Sequence, residues 1–414
     1  MTQPPDATSV APPLAIPAAR GVVVAGFAAF LLLGWATLLV PSLIRDVQAT
    51  FGQSDAGMGL AYLIGSLLYV TGTVSVGVLA GRLPRRALLG AGPTLVAAGL
   101  VALAMAPAWP VFLAGFLVMG LGNGIIDAGA NALFIDLFAG RAAMLNRLHM
   151  FFALGALAAP LAVGLAVSAG VPWQAVAVAT AVAAAPLGLV FATRRLPPTH
   201  PHASAPERAA PPAGGVSDPA STRSVGRGIP LPLLVLCIAI GCYVAAELGV
   251  SSWMVRYLEG APIVVATLAL SLFWAALGLG RLVSSLIADR MSTVVFATTW
   301  SIVCGAAILA ALAAPVLPLA VVCFAVAGFA AGPVYPSIMA IGGALHPGRA
   351  SMVSSVLTSA GIVGSLVYPP LMGVVSEAAG MWVGMAGAGL FAFAAGAAIY
   401  TASRIGRGRE AVPA

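Results

Sequence analysis

The sequence predicts an all-α membrane protein with twelve transmembrane helices in two pseudo-symmetric six-helix bundles. Composition is the first reason. Hydrophobic residues make up 61% of the 414 and charged ones only 7%, with a mean hydropathy of +1.05, whereas soluble domains are roughly 45–50% apolar. Length is the second: the apolar residues gather in twelve stretches of about 20, enough for a helix to cross ~30 Å of hydrocarbon. The third is that landmarks of the first six stretches recur in the last six.

Residues 1–18 form a polar leader, expected to be a disordered cytoplasmic N-terminus. The leader lacks a basic start and the run after it is too long for a cleaved signal peptide, so 19–41 is the first span. Spans follow near 57–80, 87–106, 109–137, 146–168 and 172–193, completing a bundle over 19–193. "RRLPPTHPHASAPERAAPPAGG" then opens a Pro-, Ala- and Ser-rich segment from Arg194 to Pro230, whose composition predicts a disordered cytoplasmic linker. His200 and His202 within it read as solvated rather than metal-bound. The second bundle, 231–402, holds spans near 231–255, 262–287, 293–313, 317–341, 351–375 and 381–402, and 403–414 is a cytoplasmic tail.

The net charge of +7 is a matter of topology. All 19 basic residues are arginine. With the N-terminus in the cytoplasm, every arginine but three lies in or beside cytoplasmic loops and tails, which is the positive-inside pattern of a multi-pass inner-membrane protein with both termini cytoplasmic. Arg45 and Arg256 face the other side, and Arg281 lies inside the eighth span. This placement leaves no nucleic-acid surface. Cys237, Cys242, Cys304 and Cys323 all fall in apolar spans without metal-ligand spacing and read as packing residues.

An offset of 208 residues aligns "AGR" at 80–82 with "ADR" at 288–290, Gly124 with Gly332, and "GR" at 140–141 with "GR" at 348–349. One residue later in register, Pro160 meets Pro369 and Gly164 meets Gly373. Parallel repeats about an axis along the membrane normal are a transporter plan, with the substrate path between the halves near the midplane. Neither a catalytic triad, a metal cluster nor a phosphate-cradling glycine loop is present in the sequence, so an enzyme is not expected and any pumping draws on ion gradients.

Of twelve acidic residues, only Asp127 and Glu247 lie well inside spans. An acid at a helix centre costs about 2.5–3.5 kcal/mol to insert, so both should face protein or water and both are candidate sites. In "GLGNGIIDAGANALF", Asn123, Asp127 and Asn131 are spaced by four and stack on one face of span 4; Gly120, Gly122, Gly124 and Gly129 permit close packing there. The asparagines either line a cavity or form interhelical hydrogen bonds worth about 0.6–2 kcal/mol each. Asp127 supplies what a proton-coupled carrier needs, a carboxylate that loads and releases a proton as the cavity changes side. His149, about a turn into span 5, either relays that proton or is a structural donor. Glu247 lies ~13 Å along its helix from Arg256, too far to pair directly; it binds substrate, gates the outer end of the cavity, or is satisfied by hydroxyls. Under the offset, Tyr335 corresponds to Asp127, with Pro333 and Pro336 breaking span 10 into a bend. Trp35 and Tyr243 occupy equivalent places in spans 1 and 7, where aromatic rings either stack on a sugar or pack.

The loop sequences "GVLAGRLPRR" and "SLIADRMSTV", with six plus six spans and a central linker, resemble the major facilitator superfamily over nearly the whole chain. The resemblance implies a loop-to-helix charge latch using Arg82, Arg86, Asp289 and Arg290, although Gly81 stands where the first loop usually has its acid. "GLGNGIIDAGANALF" and "LNRLHMFFALGALAAP" are similar to the fucose permease and sodium-dependent glucose transporter branch, in which an acid precedes an Asn by four residues (here Asp127 and Asn131) and an Asn-x-x-polar-x-Phe run opens span 5 (Asn146, His149, Phe151). "GWATLLVPSLIRDVQATFGQSDAGMGL" also resembles bacterial inner-membrane relatives of that branch. Fucose permease has a second membrane acid in span 1, where this chain has Pro41.

The expected function is secondary active transport of a small polar solute, sugar-like by resemblance, by rocking of two bundles about a midplane site. Proton coupling is expected through Asp127, His149 and Glu247, and substrate contacts from Asn123, Asn131, Asn146, Trp35, Tyr243 and Tyr335. A proton-antiporting exporter of drugs or metabolites is the alternative. Expected partners are the solute, a proton or a sodium ion, and the bilayer; the chain is expected to act as a monomer without cofactor, metal or nucleic acid.

Overall fold

The computed structural model describes residues 16–138, 141–194, 196, 229–287, 290–346 and 349–410. The helices in order are α1 (Ile16–Ser42), α2 (Ile44–Phe51), α3 (Asp55–Leu79), α4 (Arg85–Ala104), α5 (Trp109–Leu137), α6 (Ala142–Ser168), α7 (Trp173–Thr193), α8 (Leu231–Tyr257), α9 (Ile263–Ile287), α10 (Thr293–Ala313), α11 (Leu317–Ala331), α12 (Val334–Leu345), α13 (Ala350–Ala379) and α14 (Met381–Glu410). Twelve spans long and apolar enough to cross a membrane are found among the described residues, α11 and α12 together forming the tenth.

Two features depart from the sequence expectation, and a third refines it. A short helix, α2, follows α1 after a single turn residue: "IRDVQATF" buries Ile44 and Val47 on one face and stops at Gly52, whose φ of 60° ends it in the left-handed region. The tenth span breaks where a bend was expected, at Gly332 and Pro333, because Pro333 lacks the N–H for the ladder and its ring crowds the carbonyl a turn back, whereas Pro336 lies inside α12. The last helix runs to Glu410, through most of the segment expected as a tail. The leader before residue 16, and the linker apart from 194, 196, 229 and 230, lie outside the described residues, as do His200 and His202. Gly81 in the loop after α3 has φ 80°, a conformation in which an acidic residue would be strained; the backbone accounts for the glycine there.

The repeat holds at atomic level. A Cβ on Gly120 would stand 2.6 Å from the Gly65 carbonyl oxygen, and one on Gly328, 208 positions later, 2.2 Å from that of Phe273. Gly72 against Leu121 (2.3 Å) is matched by Gly280 against Phe329 (2.1 Å), and Gly124 against Tyr69 (2.0 Å) by Gly332 against Leu277 (2.4 Å). Glycine thus lets α3 meet α5, and α9 meet α11, backbone to backbone, the usual route to tight helix pairs in lipid.

The bundles meet along two seams, α3 with α13 and α6 with α9. These too are related by the repeat. A Cβ on Gly373 of α13 would stand 2.3 Å from the Asp55 carbonyl and 3.0 Å from the Gly59 Cα of α3; one on Gly164 of α6 would meet the Thr267 side chain of α9 at 1.8 Å.

Candidate functional site

At the end of the molecule away from the described chain ends, charged groups of each bundle cap helix ends of the other. Arg45 of α2 donates to the carbonyls of Val255 (2.7 Å) and Leu258 at the C-terminal end of α8 and to that of Ala261 (2.9 Å) in the turn that follows, where a helix end leaves acceptor capacity unused. Glu377 of α13 accepts from the Ala56 N–H in the first turn of α3 (3.1 Å), where the helix dipole favours a carboxylate. Between them Asp55 is buried: its Oδ1 accepts from Arg256 (2.8 Å) and Gln48 (2.8 Å), its Oδ2 from Ser376 (2.6 Å). Arg256 also pairs with Glu259 and not with Glu247. Beneath this lock, Tyr62 donates to the Ser252 carbonyl (3.2 Å) and meets the Trp253 ring edge-on at 5.6 Å. The inter-bundle hydrogen bonds and ion pairs resolved among the described residues all lie in this half, whereas Asn146 near the opposite end is exposed.

Below the Tyr62 layer lies a cavity of about 350 Å³ between the bundles, walled by α1, α3, α5 and α6 on one side and α8, α12 and α13 on the other. Asn123 and Tyr335 line it; so does Tyr69, which the sequence did not single out. Asn123 is buried and its Oδ1 has no hydrogen-bond partner, a free acceptor at the cavity wall. Asp127 sits one turn from Asn123, behind the wall. Its Oδ2 accepts from the Tyr69 hydroxyl (2.6 Å) and its Oδ1 from Asn131 Nδ2 (2.9 Å). Asn131 therefore holds the carboxylate rather than facing the cavity. His149 is within electrostatic reach of Asp127 without a resolved hydrogen bond, and its ring meets Phe30 edge-on at 5.2 Å.

Across the cavity, Tyr243 and Glu247 stand one turn apart on α8. The Tyr243 ring packs against that of Tyr335 at 6.2 Å, and Tyr335 shares a 3.4 Å contact with the Thr358 hydroxyl. Arg281 of α9 lies within electrostatic reach of Tyr243, Glu247, Tyr335 and His149. The Tyr243 hydroxyl lies buried against Glu247 and the Arg281 guanidinium, close enough to interact though without an ideal hydrogen bond at the hydroxyl or at Arg281 Nε. A polar centre thus spans the gap: Tyr69, Asn123, Asp127 and His149 from the first bundle, Tyr243, Glu247, Arg281 and Tyr335 from the second.

Trp35 is not part of it. Its Nε1 donates to Thr180 of α7 (3.1 Å) and it lines a separate groove, because this face of α1 turns into its own bundle while the equivalent Tyr243 turns to the centre. Asn146 is exposed at the open end of α6, away from the cavity lining. Of the expected latch, Arg82, Arg86 and Arg290 are exposed, and Asp289 lies outside the described residues. The neighbouring Arg85 is instead buried and paired with Asp136 at the end of α5, within one bundle. Arg281 and Tyr69 were missed for different reasons. Arg281 was visible as an arginine inside a span; Tyr69 becomes informative only once α3 lies against α5.

A family model described as Major Facilitator Superfamily matches residues 22–313. The mouse sodium-dependent glucose transporter 1A is 31% identical over 141 residues, 34% of this chain and 33% of that protein, and the rat sodium-dependent glucose transporter 1 is 31% identical over 140, 34% and 29%. The match thus spans about a third of the length of these relatives. Among solved structures, an inward-facing, occupied bacterial homologue of the human lysosomal transporter Spinster superposes with a TM-score of 0.77 at 16% identity, covering 94% of this chain and 98% of that one. A D-xylose-proton symporter gives 0.72 at 12% identity (92% and 97%), and a nucleoside transporter 0.71 at 14% (94% and 99%). At such identities these likenesses establish the fold. With the family model covering most of the chain, this multi-pass membrane protein, a transporter rather than an enzyme, belongs to the Major Facilitator Superfamily.

Proposed function

We propose that the protein carries a small polar organic solute, sugar-like in its pattern of hydroxyls, across the cell inner membrane by alternating access, with a proton on Asp127 as the coupling ion. Both termini are cytoplasmic in this reading, so the capped end is periplasmic and the structure is the inward-facing state. One observation carries the proposal: the cavity wall contains Asn123, whose buried Oδ1 is unsatisfied, and Tyr69, whose hydroxyl bonds the Asp127 carboxylate. A solute hydroxyl donating to Asn123 and contacting Tyr69 shifts the donor that holds Asp127, so solute occupancy and protonation become linked. Tyr335 offers the opposite face, with Tyr243 packed behind it, and Glu247 and Arg281 add an acceptor and a donor close by. The relatives named for sodium-dependent glucose transport make sodium the competing ion.

The test is uptake into proteoliposomes under an imposed pH gradient or an imposed sodium gradient. The pH gradient should drive uptake and the sodium gradient should not; Asp127→Asn should abolish driven uptake while solute counterflow persists. Uptake that follows sodium alone, or that survives Asp127→Asn, removes Asp127 from the coupling role.

A second reading is export of an apolar compound by proton antiport. It is favoured by the cavity's apolar lining, which includes Val70, Phe116, Met119, Phe152, Leu248 and Ile362. Hypersensitivity of a deletion strain to a panel of apolar compounds, with no loss of solute uptake, would support it.

A further inference from the structure

The two bundles differ at one seam. In the second, α8 packs along the length of α14; the equivalent pair in the first, α1 and α7, make a much smaller contact that includes the Trp35–Thr180 bond. The opening left between α1, α6 and α7 is a groove of about 970 Å³ that faces outward from the bundle, lined by residues such as Val24, Leu31, Ala179, Ala183, Leu187 and Val190. Along α7 it runs from Ala175 to Val190, about 22 Å at 1.5 Å per residue. That exceeds half of a ~30 Å hydrocarbon core. The Trp35 and Thr180 polar atoms at its wall bond each other, so the groove offers an acyl chain no unsatisfied polar group from that pair.

Two arginines stand at one end. Arg20 lies one turn before Val24 on α1 and Arg194 one turn after Val190 on α7, both exposed. The Arg194 guanidinium carbon is 3.7 Å from where a Cβ on Gly21 would stand, so it reaches across the mouth from α7 to α1. Neither arginine has an acidic partner among the described residues. Their depth, one turn beyond the apolar lining, is the depth of lipid headgroups.

We infer that this groove is a binding site for an anionic phospholipid, with an acyl chain between α1, α6 and α7 and its phosphate held by Arg20 and Arg194. The lipid fills the seam that helix packing fills in the other bundle. Each arginine close to an anionic headgroup contributes about a fivefold preference, so a preference of about tenfold or more over a zwitterionic lipid is expected.

Trp35 lies in the groove and reports on occupancy. The full-length protein is reconstituted in phosphatidylcholine vesicles doped with either phosphatidylglycerol or phosphatidylcholine bearing brominated acyl chains, and the Trp35 signal is taken as the difference from Trp35→Phe. Brominated phosphatidylglycerol should quench that signal at about tenfold lower mole fraction than brominated phosphatidylcholine. In Arg20→Gln/Arg194→Gln the two lipids should become equivalent, and in Ala179→Leu/Ala183→Leu quenching by both should fall. Equal quenching by the two lipids in the unaltered protein, or a phosphatidylglycerol preference that survives removal of both arginines, overturns the proposal. Native mass spectrometry of the same variants gives an independent count of retained phosphatidylglycerol: one retained lipid lost in the arginine variant supports the site, and retention unchanged in both variants overturns it.

Discussion

Tyr69 is the residue that joins the cavity to the buried carboxylate. A hydrogen bond to a charged group is worth about 1.5–3 kcal/mol, so Tyr69→Phe should slow pH-driven uptake by about 10- to 100-fold while binding, read from counterflow, changes less. Equal losses in both would make Tyr69 a packing residue. Asn123→Ala should do the reverse, raising KM several-fold with little effect on coupling. Trp35→Phe removes a hydrogen bond inside one bundle, which costs about 1 kcal/mol of stability, and should leave KM and the maximal rate unchanged. The sequence singled out Asp127 and Asn123 because polar atoms in an apolar span are conspicuous. Their division of labour was not legible, since Asn131 and Asn123 look alike along one helical face. Only the approach of α3 shows that one holds the carboxylate and the other faces the cavity.

Among the elements, α2 and the ends of α3, α8 and α13 form a lock that apolar patterning does not announce. Helix α2 is too short and too polar to register as a span, and its role depends on Arg45 reaching carbonyls more than 200 positions away. A sign of the lock was nonetheless present: Arg45 and Arg256 are the two arginines that defy the positive-inside pattern, and both are in it, just as Arg281, the one inside a span, reaches the polar centre. Losing one partner of a largely buried pair costs about 3 kcal/mol or more, which converts to roughly 100-fold in a two-state equilibrium. Asp55→Asn should therefore shift the molecule towards the state open at the locked end, raising the labelling rate of a cysteine placed at Ser252 by a membrane-impermeant reagent. Gly373→Leu should have the same effect more strongly, because its side chain would strike the Asp55 carbonyl and the Gly59 Cα. Its thermal stability should hold, as the contact lies between bundles rather than within one. No change in labelling in either variant would mean that these contacts do not govern closure.

For the whole molecule, twelve spans were readable from hydrophobic length and a repeat from shared landmarks; one of these, the Gly124 and Gly332 pair, turns out to be a helix contact, while Gly120 with Gly328 and Gly72 with Gly280 became visible only in the packed helices. What the repeat could not convey is where the halves differ. Trp35 and Tyr243 are equivalent by position yet face opposite ways; α8 closes on α14 while α1 parts from α7; Arg85 has its Asp136 where the second half has Thr293 and Ala344. In the proposed mechanism these asymmetries place the coupling carboxylate, Asp127, in the first half and the Arg281 guanidinium in the second. The central claim is that solute and proton move together because they share the Tyr69 and Asp127 contact. It is tested most directly by adding solute to de-energised proteoliposomes and recording the external pH. The unaltered protein should draw protons inward with solute, so that the medium becomes more alkaline, and Asp127→Asn should show none of this while still exchanging solute. Solute entry without any pH change in the unaltered protein, or the same change in Asp127→Asn, would contradict the claim.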